Sequence, residues 1–400
     1  MSSHTTAPGL RNTTIQMCPD VQEIRGAEVR GCTFQQPGEL PSWNFGNTTS
    51  KRDLKSVERI WRECGWIGDD DEVSALEAFF DCGDALVALL DGEAECAVHS
   101  TDGAIRWCDE DLSLGTVTAV TTSHIARQTG YARQLTAEML ARQTLAGDEV
   151  SALGMFDQEF YDKVGYGTGS YEHWITFDPA TLKVDRLRRP PKRVTAKDYV
   201  ATHAAACTRK RGHGGTNLKT AEVVRAEMEW TESGYGLGYF DGPSGELTHF
   251  IWGSAKGEHG AYSVTFRAYQ TAEQLLELLG VIKSLADQVN TVGMIEFSDI
   301  QLQDLLERPF RQRRALGKQQ LARTDRQLCI TLGEESTAVT GSKSKLPTLS
   351  ASVDAFTRLW FGVRGASSLA ITDNLAGPPS LPNALERKIV PPAMHTDWDF

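Results

Sequence analysis

Residues 117–132 (VTAVTTSHIARQTGYA) constrain the fold more than any other stretch of this chain. A β-rich run is followed by an irregular turn, and RQTGYA then opens an amphipathic pattern that Leu135, Met139 and Leu140 continue. The pattern predicts a strand that leads directly into a helix. The first N–H groups of a helix have no internal partner and the helix dipole adds about half a positive charge, so the turn is a candidate phosphate site. On these residues alone, an ordinary basic helix start is an equally good interpretation.

A second motif follows, and it favours the phosphate-site interpretation of the first one. Gly130 lets a ligand approach the backbone, and Arg127 and Arg133 add positive charge. Residues 150–156 (VSALGMF) then indicate another strand, which is followed by residues 157–167 (DQEFYDKVGYG). This order resembles the GNAT acyl-CoA-dependent N-acetyltransferases. Their pyrophosphate loop has the form R/Q-x-x-G-x-G/A, and their later helix ends in F/L-Y-x-x-x-G-Y/F.

Length and composition bound the number of domains and the class of partner. A chain of 400 residues with 40% hydrophobic content exceeds one ordinary domain and predicts two or three. A net charge of −12 argues against a nucleic-acid binder and favours cationic partners, although solubility alone is the simpler explanation.

Targeting, membrane and metal signals are absent from the sequence. No apolar run reaches the roughly 18 residues of a membrane helix, and the polar start (MSSHTTAPGLRNTT) has no signal-peptide core. We therefore expect a cytoplasmic protein without a membrane partner. The eight cysteines stand singly, without the spacing of a Cys/His metal site, so reduced thiols and no metal are expected.

The first unit shows the element order of the GNAT fold. Helices are predicted at 53–64 and 72–80, followed by strands at 85–90, 94–99 and 104–108 that are separated by Asp-Gly turns at 91–92 and 102–103. This meander leads into a strand at 115–122, the phosphate turn, and the strand and helix of the second motif. The unit closes near Asp178.

A second cycle of the same kind follows the Pro190-Pro191 pair, which indicates a linker. Helices are predicted at 196–210, 220–231 and 272–289, and strands at 236–240, 247–255, 261–269 and 292–297. The turn after the strand at 261–269 is Gln270-Thr271, which lacks Gly and Arg, so this unit is expected to be GNAT-like but unable to hold the cofactor. The basic stretch 209–215 (RKRGHGG) is interpreted as a mobile, solvated loop, with a phosphate or nucleic-acid loop as the alternative.

From residue 321 the pattern changes again, to a strand at 328–332, a polar stretch, a helix at 351–361 and a Pro-rich end. Three units in this order resemble the Eis family, which joins a GNAT domain, a degenerate GNAT domain and a sterol-carrier-like domain. Eis chains end on an aromatic residue after an acidic one, as DWDF does here. The resemblance implies an α/β (α+β) protein with tandem GNAT folds at 1–180 and 181–305, an SCP2-like α/β domain at 306–400, and a hexamer.

Aminolysis of a thioester requires a base for the amine proton and an acid for the leaving thiolate. By resemblance to the Eis family, the base is the α-carboxylate of the last residue, Phe400, and the acid is Tyr161. A terminal carboxylate has a reference pKa of about 3.5, so this role requires a desolvated site or a water relay. Without the resemblance, the terminus is a docked or frayed tail, and Tyr161 packs a helix onto the sheet.

The resemblance also assigns contacts with the cosubstrate, acetyl-CoA. Strand backbone pairs with the pantetheine arm, and the turn holds the pyrophosphate. The matching positions are Val120 and Thr122 for the arm, and Arg127, Gln128, Thr129, Gly130, Tyr131 and Ala132 for the pyrophosphate. Two loop positions that are often basic are Gln128 and Thr129 here, which is expected to weaken binding.

We therefore expect an acetyl-CoA-dependent N-acetyltransferase that acts on a small-molecule or peptide primary amine by direct transfer, without an acyl-enzyme. Aminoglycosides, polyamines and protein lysines are candidate acceptors. Trp43 and Asp399 are candidate substrate contacts, from family position and proximity to the chain end. The alternative function is a lipid carrier or a CoA-binding scaffold without turnover.

Overall fold

The computed structural model describes most of the chain. The described residues are 13–17, 44–47, 50–68, 73–185, 189–257, 260–298, 300–324, 329–332, 337–338, 348–373, 375–378, 381–382, 385–386, 391–395 and 397. Three residues assigned to the site by resemblance, Trp43, Asp399 and Phe400, lie outside them.

Helices and strands alternate along the described residues. The helices are α1 (Ser50–Glu63), α2 (Val73–Asp81), α3 (Tyr131–Ala146), α4 (Gln158–Asp162), α5 (Tyr199–Thr208), α6 (Ala221–Trp230), α7 (Ala272–Ser284), α8 (Val353–Trp360) and α9 (Ala366–Thr372). The strands are β1 (Thr13–Met17), β2 (Asn44–Asn47), β3 (Asp84–Leu90), β4 (Glu93–Trp107), β5 (Glu110–Thr122), β6 (Val150–Gly154), β7 (Gly167–Thr168), β8 (Glu172–Phe177), β9 (Lys192–Val194), β10 (Thr216–Leu218), β11 (Gly234–Tyr239), β12 (His249–Ser254), β13 (Tyr262–Val264), β14 (Phe266–Ala268), β15 (Val292–Ile295), β16 (Gln312–Leu316), β17 (Gln319–Arg323), β18 (Cys329–Leu332), β19 (Thr337–Ala338), β20 (Thr348–Ala351) and β21 (Leu375–Ala376).

The first sheet has the strand order β2-β3-β4-β5-β6-β17-β7, and β10 also pairs with β4. Strands β2 to β5 are antiparallel neighbours, whereas β5 and β6 are parallel and are connected through α3. Leu135 and Met139 lie four residues apart on the face of α3 that packs on the sheet, and both are buried. The helix ends at Gly147, whose φ of 99° suits a left-handed cap.

The second unit repeats this plan with two smaller sheets, β14-β12-β11-β9 and β13-β15-β8-β16. Helix α7 packs Leu275, Leu278 and Ile282 into their shared core. The residues predicted as one strand at 261–269 form β13, parallel to β15, and β14, antiparallel to β12. The predicted α/β fold class is confirmed.

Two strands, β8 and β17, are exchanged: each pairs in a sheet outside the unit predicted from its position. Strand β8 precedes position 180 but pairs with β15 and β16, and β17 follows position 305 but lies between β6 and β7. The domain ranges 1–180, 181–305 and 306–400 remain predictions, and the hydrogen-bonded sheets cross both of their boundaries. The exchange ties the units together because the first sheet contains β17 from the third range and a sheet of the second unit contains β8 from the first range.

The third sheet joins the two ends of the chain. Its order is β19-β18-β1-β20-β21, with β1 antiparallel to β18 and parallel to β20. Phe356 and Leu359 of α8 and Leu369 of α9 share a buried cluster with residues of β20. Helix α8 lies within the predicted helix at 351–361, whereas β1 is not predicted from the sequence.

The predicted turn at Asp102-Gly103 is wrong, because β4 continues through both residues. Gly103 instead permits the close approach of β10, since a Cβ atom there would lie 2.4 Å from the carbonyl oxygen of Asn217. Asp102 accepts a hydrogen bond from Nζ of Lys219 at 2.9 Å. The Asp-Gly pair therefore allows the close pairing of β10 with β4 and does not form a hairpin turn.

The interpretation of 209–215 as a mobile, solvated loop is also wrong. Arg209 and His213 are both buried. His213 Nδ1 accepts a hydrogen bond from the Cys108 backbone N–H, and its Nε2 donates to the Phe361 carbonyl oxygen, each at 3.0 Å. Burial lowers the pKa of His213, which fits a neutral ring with this donor and acceptor pattern. The loop is a packed junction between the three units.

Candidate active site

A β-bulge gives the two faces of β5 different surroundings. The register between β4 and β5 shifts so that Ala119 and Val120 together oppose Val98. Ala119 has a φ of +52°, an uncommon conformation for a residue with a side chain. It packs with α1 and α2, whereas Val120 packs on the opposite face with α3 and α4. One strand thus separates two candidate ligand sites.

A wedge opens beside the bulge. Strands β5 and β6 pair from Leu114 with Val150 to Val117 with Leu153, and β5 then continues along β4 while Gly154 pairs with β17. Among the described strands, none pairs with residues 118–122 on the β6 side. The backbone groups there suit an extended ligand with amide groups, such as a pantetheine arm, and both predicted contacts, Val120 and Thr122, lie on this stretch.

The turn after β5 provides the second half of the predicted cofactor site. Gln128 and Gly130 have φ values of +64° and +88°, and residues 127–130 are exposed. Gly130 is the N-cap of α3 and supplies no side-chain cap, so the first N–H groups of the helix face outward without a side-chain acceptor from that position. Glu63 Oε2 accepts a hydrogen bond from the His124 N–H at 2.7 Å and fixes the entry to the turn.

Replacing Gly130 by Asp is expected to raise the dissociation constant for acetyl-CoA at least about tenfold, because the new carboxylate repels the pyrophosphate at short range. Asp tolerates a positive φ better than most residues, and the space around Gly130 is open, so the fold should persist. Isothermal titration calorimetry measures the effect.

Gly147→Asp is the matched control for this variant. Gly147 also has a positive φ and open surroundings, but it lies at the other end of α3. We expect this variant to bind acetyl-CoA like the unaltered chain. Equal losses of affinity in both variants, or none in either, would remove the turn from the cofactor site.

Tyr161 lies on α4 and is 6% exposed. Its ring packs edge-to-face against Phe160, with centroids 4.8 Å apart, and it shares one apolar cluster with three predicted cofactor residues, Val120, Tyr131 and Ala132. Burial, followed by the charge of Asp157, raises the pKa of Tyr161 to about 12. The phenol is therefore neutral at physiological pH and can donate a hydrogen bond.

Two hydrogen bonds fix the segment that carries Tyr161. The fully buried hydroxyl of Tyr166 bonds with Oγ of Ser151 at 2.7 Å, which ties the end of the motif to β6. Gln320, on the exchanged strand β17, donates from Nε2 to Oδ1 of Asp162 at 2.6 Å. The exchanged strand thus supports the helix of the candidate acid.

An aromatic pocket lies against the opposite face of β5. Its cavity measures about 330 Å³. The walls are Trp61, Trp66, Phe79, Thr101, Thr118, Ala119, Val223, Glu227 and Trp230. The first unit supplies three of the aromatic rings, from α1, from α2 and from Trp66 just after α1, and α6 of the second unit supplies the fourth together with a carboxylate. This pocket is not predicted from the sequence, because its helical tryptophans, Trp61 and Trp230, also fit the apolar faces of their own helices.

His99, which packs against the pocket residue Phe79, is a weak base. The ring of His99 is fully buried, with its centroid 4.4 Å from that of Phe79, and burial lowers its pKa to about 4. Cys108 is not an activated nucleophile either, because burial and the charges of Asp109 and Glu110 raise its thiol pKa. Cys108 therefore gives no support for an acyl-enzyme.

One group in the described residues has the spacing of a metal site, and it lies in the second unit, outside this site. Ligand atoms of Asp241, His249 and Glu277 lie within 4.8 Å of one another. The Arg189 guanidinium donates to Glu277 at 2.7 Å and to Asp241 at 2.8 Å. A chain cation already neutralises these carboxylates.

No helix in the described part of the chain has both the length and the apolar character of a membrane span.

Comparison with known proteins identifies the first unit. Residues 47–169 match the acetyltransferase (GNAT) domain family. A search of curated proteins finds no match. Similar solved structures include a conserved protein of unknown function from Enterococcus faecalis, described as a probable N-acyltransferase (16% identity, TM-score 0.74, covering 90% of this chain and 100% of the other). Others are a GCN5-related N-acetyltransferase from Kribbella flavida (16%, 0.72, covering 90% and 99%) and Eis1 from Mycobacterium abscessus (12%, 0.69, covering 90% and 100%).

The predicted enzyme class is therefore confirmed for this segment: residues 47–169 form a GNAT acetyltransferase domain, a class that uses acetyl-CoA. Identities of 12–16% show a shared fold and do not identify the substrate of this chain. The matched segment contains the wedge, the turn and Tyr161.

Proposed function

We propose that the chain is an acetyl-CoA-dependent N-acetyltransferase that transfers an acetyl group directly to a primary amine. The observation that carries this proposal is the position of one strand, β5, between an opened wedge and an aromatic pocket. The pantetheine arm lies along residues 118–122, the pyrophosphate lies at residues 127–132, and the amine enters from the pocket.

Each chemical step has a candidate group in this arrangement. The amine nitrogen attacks the thioester carbonyl, and backbone N–H groups of β5 stabilise the oxyanion. The α-carboxylate of Phe400 takes the proton of the amine, and the Tyr161 hydroxyl donates to the departing sulfur. The raised pKa of Tyr161 lies about three units above that of a free thiol, so full proton transfer costs about 4–5 kcal/mol. Hydrogen-bond donation to the developing thiolate is therefore its main contribution.

A polycationic amine suits the pocket best. Tryptophan faces attract ammonium groups, and Glu227 adds a carboxylate at the rim. The net charge of −12 adds a field of the same sign. Aminoglycosides and polyamines belong to this class, and a peptide lysine offers the same ammonium group.

Glu227→Gln is expected to raise KM for a polycationic amine about fivefold, because one partly solvated ion pair contributes up to about 1 kcal/mol. The dissociation constant for acetyl-CoA should not change. Glu229→Gln on the same helix is the control, since that carboxylate pairs with Arg225 and does not line the pocket. Steady-state kinetics with both substrates varied separate the two outcomes; equal KM values for all three proteins would exclude Glu227 from amine binding.

Release of free CoA thiol from acetyl-CoA tests the proposed activity. The assay uses chain with a native C-terminus and a panel of aminoglycosides, polyamines and lysine peptides. We expect thiol release that depends on the amine and an acetylated product of matching stoichiometry. No turnover with any amine, together with tight lipid binding, would favour the lipid carrier or the CoA-binding scaffold.

Other features predicted from the sequence or from the Eis resemblance stay predictions. They are the sterol-carrier-like identity of the C-terminal unit, the hexamer, the cytoplasmic location, and substrate contacts by Trp43 and Asp399. Light scattering of the purified chain tests the hexamer.

A further inference from the structure

The second unit has a wedge of the same construction as the first. Strands β13 and β15 run parallel from Tyr262 with Val292 to Val264 with Met294. They then part: β14 pairs with β12, and Ile295 pairs with β8. The opening thus corresponds to the wedge that the first unit offers to acetyl-CoA.

The helix that follows this wedge, α7, caps its own N-terminus with side-chain hydrogen bonds. Thr271 Oγ1 accepts from the Gln274 N–H at 3.3 Å, and Gln274 Oε1 accepts from the N–H groups of Gln270 and Thr271 at 2.7 and 3.3 Å. This capping box takes the place that an anion would need. The wedge of the second unit is therefore built for an occupant other than a pyrophosphate.

The C-terminal segment of the chain lies at this wedge. His395 Nε2 donates to the Glu296 carbonyl oxygen at 2.9 Å, and the His395 N–H donates to the His213 carbonyl oxygen at 2.8 Å. Arg267 spans the opening, with its guanidinium 4.3 Å from the Phe297 ring centroid. A cavity of about 30 Å³, roughly the volume of one water, remains between wedge and tail.

Arg209 connects this segment to the first unit. Its guanidinium donates to Oδ2 of Asp397 at 2.7 Å and to the Thr216 carbonyl oxygen at 2.6 Å, and its side chain is 5% exposed. Asp397 also accepts from the Thr216 N–H at 2.9 Å. Because Thr216 begins β10, which pairs with β4, one buried arginine joins the tail to the catalytic sheet.

We propose that the wedge of the second unit is a socket for the C-terminal tail, and that Arg209 is a positioning residue that aims the terminal carboxylate at the active site through Asp397. This proposal rests on the proposed role of that carboxylate as the base. It gives the degenerate unit a function: its unused cofactor cleft holds a segment of the same chain.

The position of Asp397 in the fold agrees with this role. Asp397 lies beside Thr216, and β10 leads from there to Leu218, which pairs with Gly103. Gly103 is two residues from Thr101, which lines the aromatic pocket.

Arg209→Met is expected to lower kcat about tenfold to a hundredfold, the cost of misplacing a reacting group by about 1 Å. The dissociation constant for CoA should stay within a factor of about two, since no contact of Arg209 belongs to the wedge of the first unit. In a chain shortened by Phe400, the same substitution should cause no further loss, because the group it positions is gone. Equal additional losses in the shortened chain would assign Arg209 a purely structural role.

Arg189→Met is the matched control. Arg189 is also a multiply bonded arginine of the second unit, with carboxylate partners and no tail contact among its bonds to Asp241 and Glu277. We expect its kcat to remain within about twofold of that of the unaltered chain. A loss in this variant as large as that of Arg209→Met would refute the specific link to the tail.

Hydrogen–deuterium exchange of the C-terminal peptide tests the socket without any turnover. Faster exchange in residues 393–400 is expected for Arg209→Met and Asp397→Asn, and unchanged exchange for Arg189→Met. If exchange is faster in Arg209→Met and Asp397→Asn but the unaltered chain has no acetyltransferase activity, the proposed function is refuted and the socket is supported. If exchange does not change in any variant, the socket itself is refuted.

Discussion

Adding one alanine after Phe400 is expected to lower kcat by about 10²- to 10⁴-fold, the usual contribution of a general base. The extension leaves every side chain in place and moves only the terminal carboxylate, replacing it by a neutral amide at its former position. Binding of acetyl-CoA should be unaffected, because the wedge and the turn lie on β5 and α3. Stopped-flow or steady-state thiol release gives kcat, and calorimetry gives the dissociation constant.

Phe400→Leu is the control for the extension, because it changes the side chain and keeps the carboxylate at the end of the chain. We expect a much smaller loss of kcat than for the extended chain. An extended chain that turns over at the native rate would exclude the terminal carboxylate as the base. The carboxylate of Glu227 at the pocket would then be the next candidate.

Tyr161→Phe is expected to lower kcat about a hundredfold, with the dissociation constant for acetyl-CoA nearly unchanged. The substitution removes the hydroxyl that donates to the departing thiolate and keeps the ring that packs against Phe160. Because burial raises the pKa of the phenol to about 12, the hydroxyl stays protonated across the range in which an amine is acetylated. The loss should therefore persist at every pH between about 6 and 9.

Tyr166→Phe is the matched control in the same motif. It removes a buried hydroxyl that bonds with Ser151, so it should lower the free energy of unfolding by about 1–2 kcal/mol while kcat stays close to that of the unaltered chain. Chemical denaturation and thiol release distinguish the two variants. Similar kcat values for Tyr161→Phe and the unaltered chain would remove Tyr161 from the chemistry.

The local structure of the segment proposed to hold the cofactor was predictable because its parts are contiguous. Residues 120–132 form the end of a strand, a turn and a helix start, and each is determined by local signals: β-rich residues, a glycine with positive φ and apolar residues four apart. The wedge follows from the same segment, since the strand outlasts its parallel partner β6.

The aromatic pocket proposed for the amine was not predictable, because its walls come from segments far apart in the chain. Trp61 and Trp230 both line the pocket, but they belong to α1 and α6 of different units. Each tryptophan also fits the apolar face of its own helix, so periodicity alone carries no sign of a ligand.

The errors in the sequence analysis have the same non-local origin. Gly103 suggested a turn because its real neighbour, the backbone of Asn217, lies more than a hundred residues away. The charges of 209–215 suggested solvation because the groups that neutralise or bond them, such as Asp397, come from other units. The pairing of β17 with β6 and β7 is likewise not predictable from its position about 150 residues later in the chain.

A crystal structure of the native-length chain with bound CoA and an amine tests the central claim most directly. We predict that the Tyr161 hydroxyl lies within hydrogen-bonding distance of the CoA sulfur, and that the carboxylate of Phe400 reaches the amine nitrogen directly or through one water. A CoA sulfur placed between residues 118–122 and Tyr161, with the terminal carboxylate remote from the amine, would contradict the proposed mechanism. CoA bound anywhere other than the β5 wedge would contradict the proposed site.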